Sequence, residues 1–384
     1  MYSILIFAAQ YLPHLGGVEN YTYNLSKELM NRGHKVTIVT SNVQDLESCE
    51  VMEGITIYRM PCLKILKGRF PVLKRNSEFK RLHSLLMKDS FDFVMVNTRF
   101  YFHSVYGVRF AKKKNIPSIV IDHGTSHLTV HNPLLDLMGN GFEHIITKIV
   151  QMYNTDFYGV SKASNQWLKH FHIEAKGVLY NAIDANRILE IYDSCKPDFA
   201  SRFHIPEDAV TISYTGRVLK EKGIIQLIES VKQLHQEGYK VYLFIAGDGD
   251  LFDYCQQEKS DFIIPLGRLS FENIICLLKF TDIFCLPSDS EGFSTSLLEA
   301  AVCRNYIVTT RRGGAPELIE NDNYGTIIDN NRVEDVYPAL LEAVTSIPRR
   351  NRGVELTYQK VISNFTWNLT ADHVLDIVDY KNKR

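Results

Sequence analysis

Two carboxylates, Glu291 and Glu299, flank a run of hydroxyl residues in SEGFSTSLLEA (residues 290–300), with no lysine or arginine between them. The apolar run IFCLPS precedes this stretch, so a strand ending at Pro287, a turn over SDSEG and a helix starting near Ser294, Thr295 and Ser296 are expected. That helix turns Leu297, Leu298, Ala301 and Val302 inward, leaving Glu291 just ahead of its start and Glu299 about a turn inside. The helix dipole accounts for a carboxylate at the start, at ~0.3–1 kcal/mol. It does not account for Glu299, whose neighbours are leucines and alanines. A half-buried carboxylate needs donors, and the hydroxyl groups of a ligand are one source. Paired carboxylates beside open helix amides suit a sugar joined to phosphate.

Other candidates also follow strand-like runs. In TGRVLKEKG, Arg217 and Lys222 lie between Gly216 and Gly223, where a forked guanidinium and a flexible ammonium can reach adjacent phosphates. In PHLGGVEN, Gly16 and Gly17 are expected in backbone conformations closed to other residues, with Val18 and Glu19 opening a helix whose free amides face an anion. This is not GxGxxG, and no acidic residue after the second strand is placed to hold a ribose, which disfavours a dinucleotide site. IPSIVIDHGTSH places Asp122 and His123 at a strand end, Asp122 as a structural partner of loop amides and His123 as a candidate for a ligand hydroxyl. TTRRGGAPELIE gives a second Gly-Gly before a helix, with Pro316 in its first turn. GDGD (Asp248, Asp250) and SDSE (Asp289, Glu291) resemble Mg2+-holding carboxylate pairs, but aspartate in a glycine-rich turn is better explained by local hydrogen bonding.

The elements that must position these residues alternate. YSILIFA, HKVTIVT, GITIYRM, FDFVMVN, IPSIVID and DFYGV read as buried strands, and VENYTYNLSKELMNRG as a helix ended by Gly33. A second series runs through AVTISYTG, KVYLFIAG, DFIIPLG, DIFCLPS, NYIVTT and YGTIID, with helical patterns such as IIQLIESVKQLHQEG between. Two such series predict two doubly wound α/β domains, whose ligands gather where strands end and helices begin. The expected division is residues 1–190, 191–364 and a final helix over 365–384, with YDSCKPDFASRFHIPED read as a linker.

Composition excludes several classes. The 384 residues are 45% hydrophobic and 23% charged, a globular balance, and no apolar run approaches the ~20 residues of a spanning helix. ILIFAA lacks a basic lead-in and reads as a first strand rather than a signal peptide. Seven scattered cysteines without CxxC spacing argue against a disulfide frame and a zinc site, which places the protein in the cytoplasm. The net charge of −1 divides into +5 over residues 1–195 and −6 over the rest. Nine basic and three acidic residues crowd into 51–90, and lysines and arginines interleaved with apolar residues over 62–88 make an anionic membrane surface a candidate partner. Nucleic acid is not expected, since the chain is not basic overall.

Taken together, these motifs resemble retaining glycosyltransferases of family GT4 with the GT-B fold. GGxE (Gly16–Glu19), the His123 loop, GRxxxxKG (Gly216–Gly223), GDG (Gly247–Gly249) and E-x(7)-E (Glu291–Glu299) carry the resemblance over nearly the whole chain. It implies two Rossmann-like domains facing a central cleft, and a sugar moved from a nucleoside diphosphate, UDP-hexose or UDP-N-acetylhexosamine by default, to a saccharide or lipid-linked acceptor. Surface polysaccharide or glycolipid synthesis on the cytoplasmic membrane face is the implied setting. By resemblance Arg217 and Lys222 hold the diphosphate with the Gly17 amide, Glu299 the ribose, and Glu291 with the amides of Phe293, Ser294 and Thr295 the sugar and phosphate. His123 faces the sugar, Gly16, Gly216 and Gly247 line the donor, and Arg268 and Leu269 border the base. No metal or other cofactor is implied. His-Gly where many relatives have His-Asp is a departure at that loop. A GT-B epimerase and an inactive nucleotide-sugar-binding partner are the alternatives.

Overall fold

In the computed structural model, which describes residues 1–14, 16–129 and 132–383, the chain forms two compact units. Unit 1 comprises Met1–Asn181 with Trp367–Arg384, and unit 2 comprises Ala182–Thr366. The strands of unit 1 are β1 (Ser3–Ala8), β2 (Lys35–Ser41), β3 (Cys49–Met52), β4 (Ile55–Met60), β5 (Cys62–Ile65), β6 (Phe70–Leu73), β7 (Phe93–Asn97), β8 (Ser118–Asp122), β9 (Asp156–Gly159) and β10 (Gly177–Val178). All but β5 and β6 join one sheet in the order β10-β9-β8-β7-β1-β2-β4-β3. Its central strands are apolar on both faces, as SILIFA and FVMVN show, because helices cover both sides of a parallel sheet. The helix Gly17–Asn31 ends where Gly33, at φ +82°, sets its N–H on the Met30 carbonyl at 2.8 Å. The final helix, Trp367–Asn382, belongs to unit 1, with Trp367 edge-on to Tyr21, Thr370 Oγ1 donating to the Tyr180 carbonyl (3.0 Å) and Lys381 paired with Asp156 (2.5 Å).

Unit 2 contains β11 (Val210–Thr215), β12 (Val241–Ala246), β13 (Ile263–Gly267), β14 (Ile283–Leu286), β15 (Tyr306–Thr310) and β16 (Thr326–Ile328). They form one parallel sheet in the order β13-β12-β11-β14-β15-β16. The order reverses after β11, so the loops after β11, β12 and β14 open beside one another, which is where an α/β sheet of this kind holds ligands.

The expected division and linker are corrected. The division falls at 181/182 and 366/367, and the stretch read as a linker contains the end of the helix Ala185–Ser194 and the short helix Phe199–Phe203. Its aromatics decide this, since Phe199 is buried against Phe244, Ile264 and Leu277 of unit 2. In the sheet of unit 1 the edge strand β3 runs antiparallel to β4. The basic segment 62–88 is an antiparallel hairpin, β5 with β6, followed by the helix Ser77–Lys88. That helix buries Phe79, Leu82 and Leu86 beneath itself, so the exposed apolar residues of the segment are Leu63, Ile65 and Leu66 of the hairpin. The Lys67 side chain lies outside the described residues.

Candidate active site

In unit 2 the loops after four neighbouring strands are locked together through glycines. Gly247, just past β12, holds φ +149°, and a Cβ there would lie 1.8 Å from the Gly216 carbonyl just past β11. Gly313, just past β15, holds φ +53°, and its Cβ would meet the Gly292 and Glu291 carbonyls at 2.4 and 2.5 Å. Backbone bonds complete the lattice: Val218 N–H to Asp248 O (2.9 Å), Gly247 N–H to Gly267 O (2.8 Å), Asp289 N–H to Glu221 O (2.7 Å) and Gly314 N–H to Gly292 O (2.9 Å). Only glycine permits such approach at these torsions. Asp248 accepts the Gly249 amide at 2.8 Å, the local turn bond expected of it.

On this frame the structure brings two of the predicted side chains into contact. Lys222 Nζ lies 2.5 Å from Glu291 Oε1, with each side chain 15% exposed. The cation missing between Glu291 and Glu299 is therefore supplied 69 residues upstream, from the loop after β11. Arg217 is exposed in that loop, and its carbonyl is fixed by the Tyr214 hydroxyl, which donates to it at 2.6 Å.

The helix carrying Glu299 spans Thr295–Val302, with Ser294 at its N-cap and no side chain capping the turn. Glu299 is half-buried, and desolvation raises its carboxyl to about 7, opposed by a hydrogen bond with the Thr295 side chain. The Phe293 ring is core, edge-on to Phe365 and so tight against Gly314 that a Cβ there would fall 2.4 Å from it, which limits Phe293 to offering backbone. Arg268 is exposed just past β13, while Leu269 packs partly onto the apolar cluster of Phe244 and Ile264. Sequence reasoning missed Tyr214, and it read the Gly-Gly at 313–314 as a helix opening, whereas Gly313 also packs closely against the neighbouring loop at Glu291 and Gly292.

Unit 1 carries its own group. Gly16 is not in a conformation reserved for glycine: it is extended, at φ −162°, and Gly17 is not at positive φ either. A Cβ at Gly16 would fall 2.4 Å from a terminal oxygen of the buried Glu19 side chain, which would have to shift to admit it. His123 stands edge-on to Tyr21 at 4.8 Å, and burial holds its imidazole down at about 3, so it is neutral. Asn97 donates its amide to Thr22 Oγ1 (2.6 Å) and turns its oxygen toward His123 Nε2 at 3.5 Å, which leaves Nδ1 as the acceptor.

Asp122 is structural, as expected, but its chief partner is one the sequence did not indicate. The Arg99 guanidinium, 0% exposed, reaches Asp122 at 2.8 and 3.0 Å and Glu143 at 2.9 Å, and lies 4.0 Å from the Phe171 ring. Burial pushes the Asp122 carboxyl up against the pull of Arg99.

Residues 196–360 match the model of the glycosyl transferases group 1 family, and residues 15–187 match the model of glycosyltransferase family 4. The chain belongs to this glycosyltransferase family. An uncharacterized glycosyltransferase of Methanocaldococcus jannaschii is 24% identical, with 95% of each chain covered. One subunit of human phosphatidylinositol N-acetylglucosaminyltransferase is 23% identical over 98% of this chain and 76% of its own. Among solved structures, a Rickettsia africae glycosyltransferase superposes with a TM-score of 0.76 at 20% identity, covering 99% of this chain and 98% of that one. The Anabaena protein HepE, solved with UDP-glucose, gives 0.74 at 14% identity, covering 99% and 100%. These likenesses show the GT-B fold. No described helix is long and apolar enough to cross a membrane.

Proposed function

We propose that this family member transfers a sugar from a nucleoside diphosphate sugar, a UDP-hexose or UDP-N-acetylhexosamine, with retention of configuration, to a saccharide or lipid-linked acceptor. The observation that carries this reading is the Lys222–Glu291 pair at the ends of β11 and β14, with Arg217 in the same loop and Glu299 in the helix beyond. Lys222 has three N–H donors, so one serves Glu291 and two remain for diphosphate oxygens. Arg217 adds a forked donor, and together the two cations stabilise the charge that grows on the departing diphosphate without a metal ion. Glu299 accepts from the ribose diol, Glu291 and the first-turn amides at Ser294 and Thr295 orient the sugar and phosphate, and Arg268 and Leu269 border the base. In unit 1 the neutral His123 offers Nδ1 to a sugar hydroxyl, and the Gly17 amide opens a helix toward an anion. The anomeric carbon loses its bond to the phosphate oxygen and gains one to the acceptor oxygen on the same face. The acceptor proton passes to the departing phosphate, so positioning and electrostatics carry the rate. The named activity of the phosphatidylinositol N-acetylglucosaminyltransferases and the UDP-glucose bound by HepE support this choice of donor.

Calorimetric titration of the full chain with UDP-N-acetylglucosamine, UDP-glucose and GDP-mannose at pH 6 and 8 tests the site. Free Glu299 is mainly protonated below about 7 and ionised above it, and a diol donates more strongly to the ionised form. A sugar nucleotide has no phosphate monoester of its own titrating in this range. Affinity for the true donor therefore rises about tenfold from pH 6 to pH 8, and Glu299→Gln flattens the profile. No binding by any nucleotide sugar sinks the proposal. An isomerised donor means an epimerase, and binding without acceptor-dependent nucleotide release means an inactive partner.

A lipid-linked acceptor at a membrane surface is supported by exposed apolar residues on two touching elements. Leu63 and Ile65 of β5 and Leu66 beyond it are exposed, as are Leu134, Leu137, Met138 and Ile145 of the helix Pro133–Gln151. Phe70 of β6 and Phe142 of that helix are edge-on at 5.1 Å, and Lys64, Arg69, Lys74 and Arg75 are exposed around the hairpin. Apolar side chains among cations suit the boundary of an anionic bilayer. Sedimentation with phosphatidylglycerol vesicles at low salt is expected to carry the wild type down, and L137D/M138D to release it about tenfold. Wild-type protein left in the supernatant defeats the membrane face.

A further inference from the structure

Three histidines from separate segments of unit 1 converge: His127 in the loop after β8, His144 in the helix Pro133–Gln151, and His170 in the 3-10 turn Lys169–Phe171. One ring nitrogen of each lies within 4.8 Å of the other two. His144 Nε2 and His170 Nε2 face each other at 3.1 Å. Two imidazoles bound to one tetrahedral ion at ~2.0–2.1 Å have nitrogens roughly 3.3 Å apart, so this pair already has close to the bite of a metal site. We propose that His127, His144 and His170 bind one divalent transition-metal ion, Zn2+ foremost, with water in the fourth position.

The surroundings are those of a built ligand set. His127 Nδ1 lies 3.0 Å from Glu143 Oε2, which places the proton on Nδ1 and leaves Nε2 for the ion. Glu143 is buried and fixed in turn by Arg99 Nη2 and the Leu128 amide, both at 2.9 Å, so the carboxylate behind the histidine cannot turn away. His170 is stacked on Trp167 at 4.8 Å and 7°, which sets its ring plane. His144 and His170 are exposed, and a hollow of about 450 Å³ lined by His144, Thr147, Phe171 and His172 opens beside them for entry of ion and water. Three imidazoles select zinc, nickel or copper over magnesium or calcium, which prefer oxygen. The ion would tie the loop that begins with His123 to the helix bearing the exposed apolar residues. Its role is structural, and it takes no part in the transfer chemistry.

The test uses untagged full-length protein stripped with EDTA. Calorimetry with ZnCl2 is expected to give one ion per chain, with affinity reduced at least tenfold in His144→Ala and in His170→Ala. Both variants keep the wild-type Tm in EDTA because these side chains are exposed, and both lose the upward shift in Tm that stoichiometric Zn2+ gives the wild type. Cobalt guards against the free cysteines: the wild type should show tetrahedral d–d bands without thiolate charge transfer. Absence of stoichiometric binding, wild-type affinity in both variants, or a thiolate signature in the Co2+ spectrum overturns the site and leaves the cluster as an aromatic packing contact.

Discussion

Arg217→Ala lowers kcat/KM for sugar transfer by about 10²–10³-fold while leaving the fold intact. On the reading proposed above, the guanidinium is one of two cations that meet the negative charge appearing on the diphosphate as the sugar departs. A preorganised donor of that kind is worth ~2.7–4 kcal/mol in a transition state. The side chain is exposed, and the loop is held without it by the Tyr214 hydroxyl on the Arg217 carbonyl and by Val218 N–H on the Asp248 carbonyl. Thermal stability should therefore stay near wild type, which separates a lost interaction from a damaged structure. Arg217→Lys recovers only part of the rate, because an ammonium restores the charge but not the fork. Steady-state kinetics with the donor found by titration decide the matter, and full turnover by Arg217→Ala would remove the electrostatic account of the reaction. Lys222→Ala has a mixed effect, since it also removes the Lys222–Glu291 ion pair.

The largest stability effect is expected at Arg99→Ala, in unit 1. Arg99 is the cation between two buried carboxylates, and its loss leaves Asp122 and Glu143 facing each other without it. Breaking a buried pair from one side costs about 3–5 kcal/mol, a fall of roughly 6–20 °C in the Tm of a unit this size. The deficit depends on pH in a fixed direction. A carboxyl whose folded pKa stands above its unfolded value contributes stability at low pH and loses it as pH rises, and Asp122 is already on that side. Loss of Arg99 moves it further, so the gap between variant and wild type is wider at pH 8 than at pH 5. Thermal melts at the two values measure this. A loss under about 1 kcal/mol, or a gap that widens on acidification, would show that water rather than Arg99 carries these charges. Arg99→Lys should rescue little, because one ammonium cannot span both carboxylates with the same bonds.

Much of the molecule was legible before any coordinates. Runs such as SILIFA and VYLFIA are apolar on consecutive residues, which in a chain that also carries helical patterns means strands buried on both faces. Glycines and charges placed directly after such runs marked the loops at strand ends. Arg217, Lys222, Glu291 and Glu299 were singled out on that ground, and in the structure Lys222 and Glu291 form one ion pair. Where the reading failed, it relied on composition alone. KPDFASRFHIPED has the prolines and charges of a linker, yet Phe199 and Phe203 anchor it to the apolar cluster of unit 2.

The amino-acid sequence by itself determined the local grammar: which residues make strands, where helices open, and which side chains stand at the openings. It did so because periodicity, caps and turn residues act over a few positions along the chain. Tertiary structure alone decided the partners. Lys222 reaches Glu291 because β11 lies beside β14 in the sheet, Gly247 must be glycine because the Gly216 carbonyl presses on it, and Arg99 finds Asp122 and Glu143 in the core of unit 1. These pairings depend on strand order, and strand order is set by how whole faces are buried, a property that no short window of residues contains.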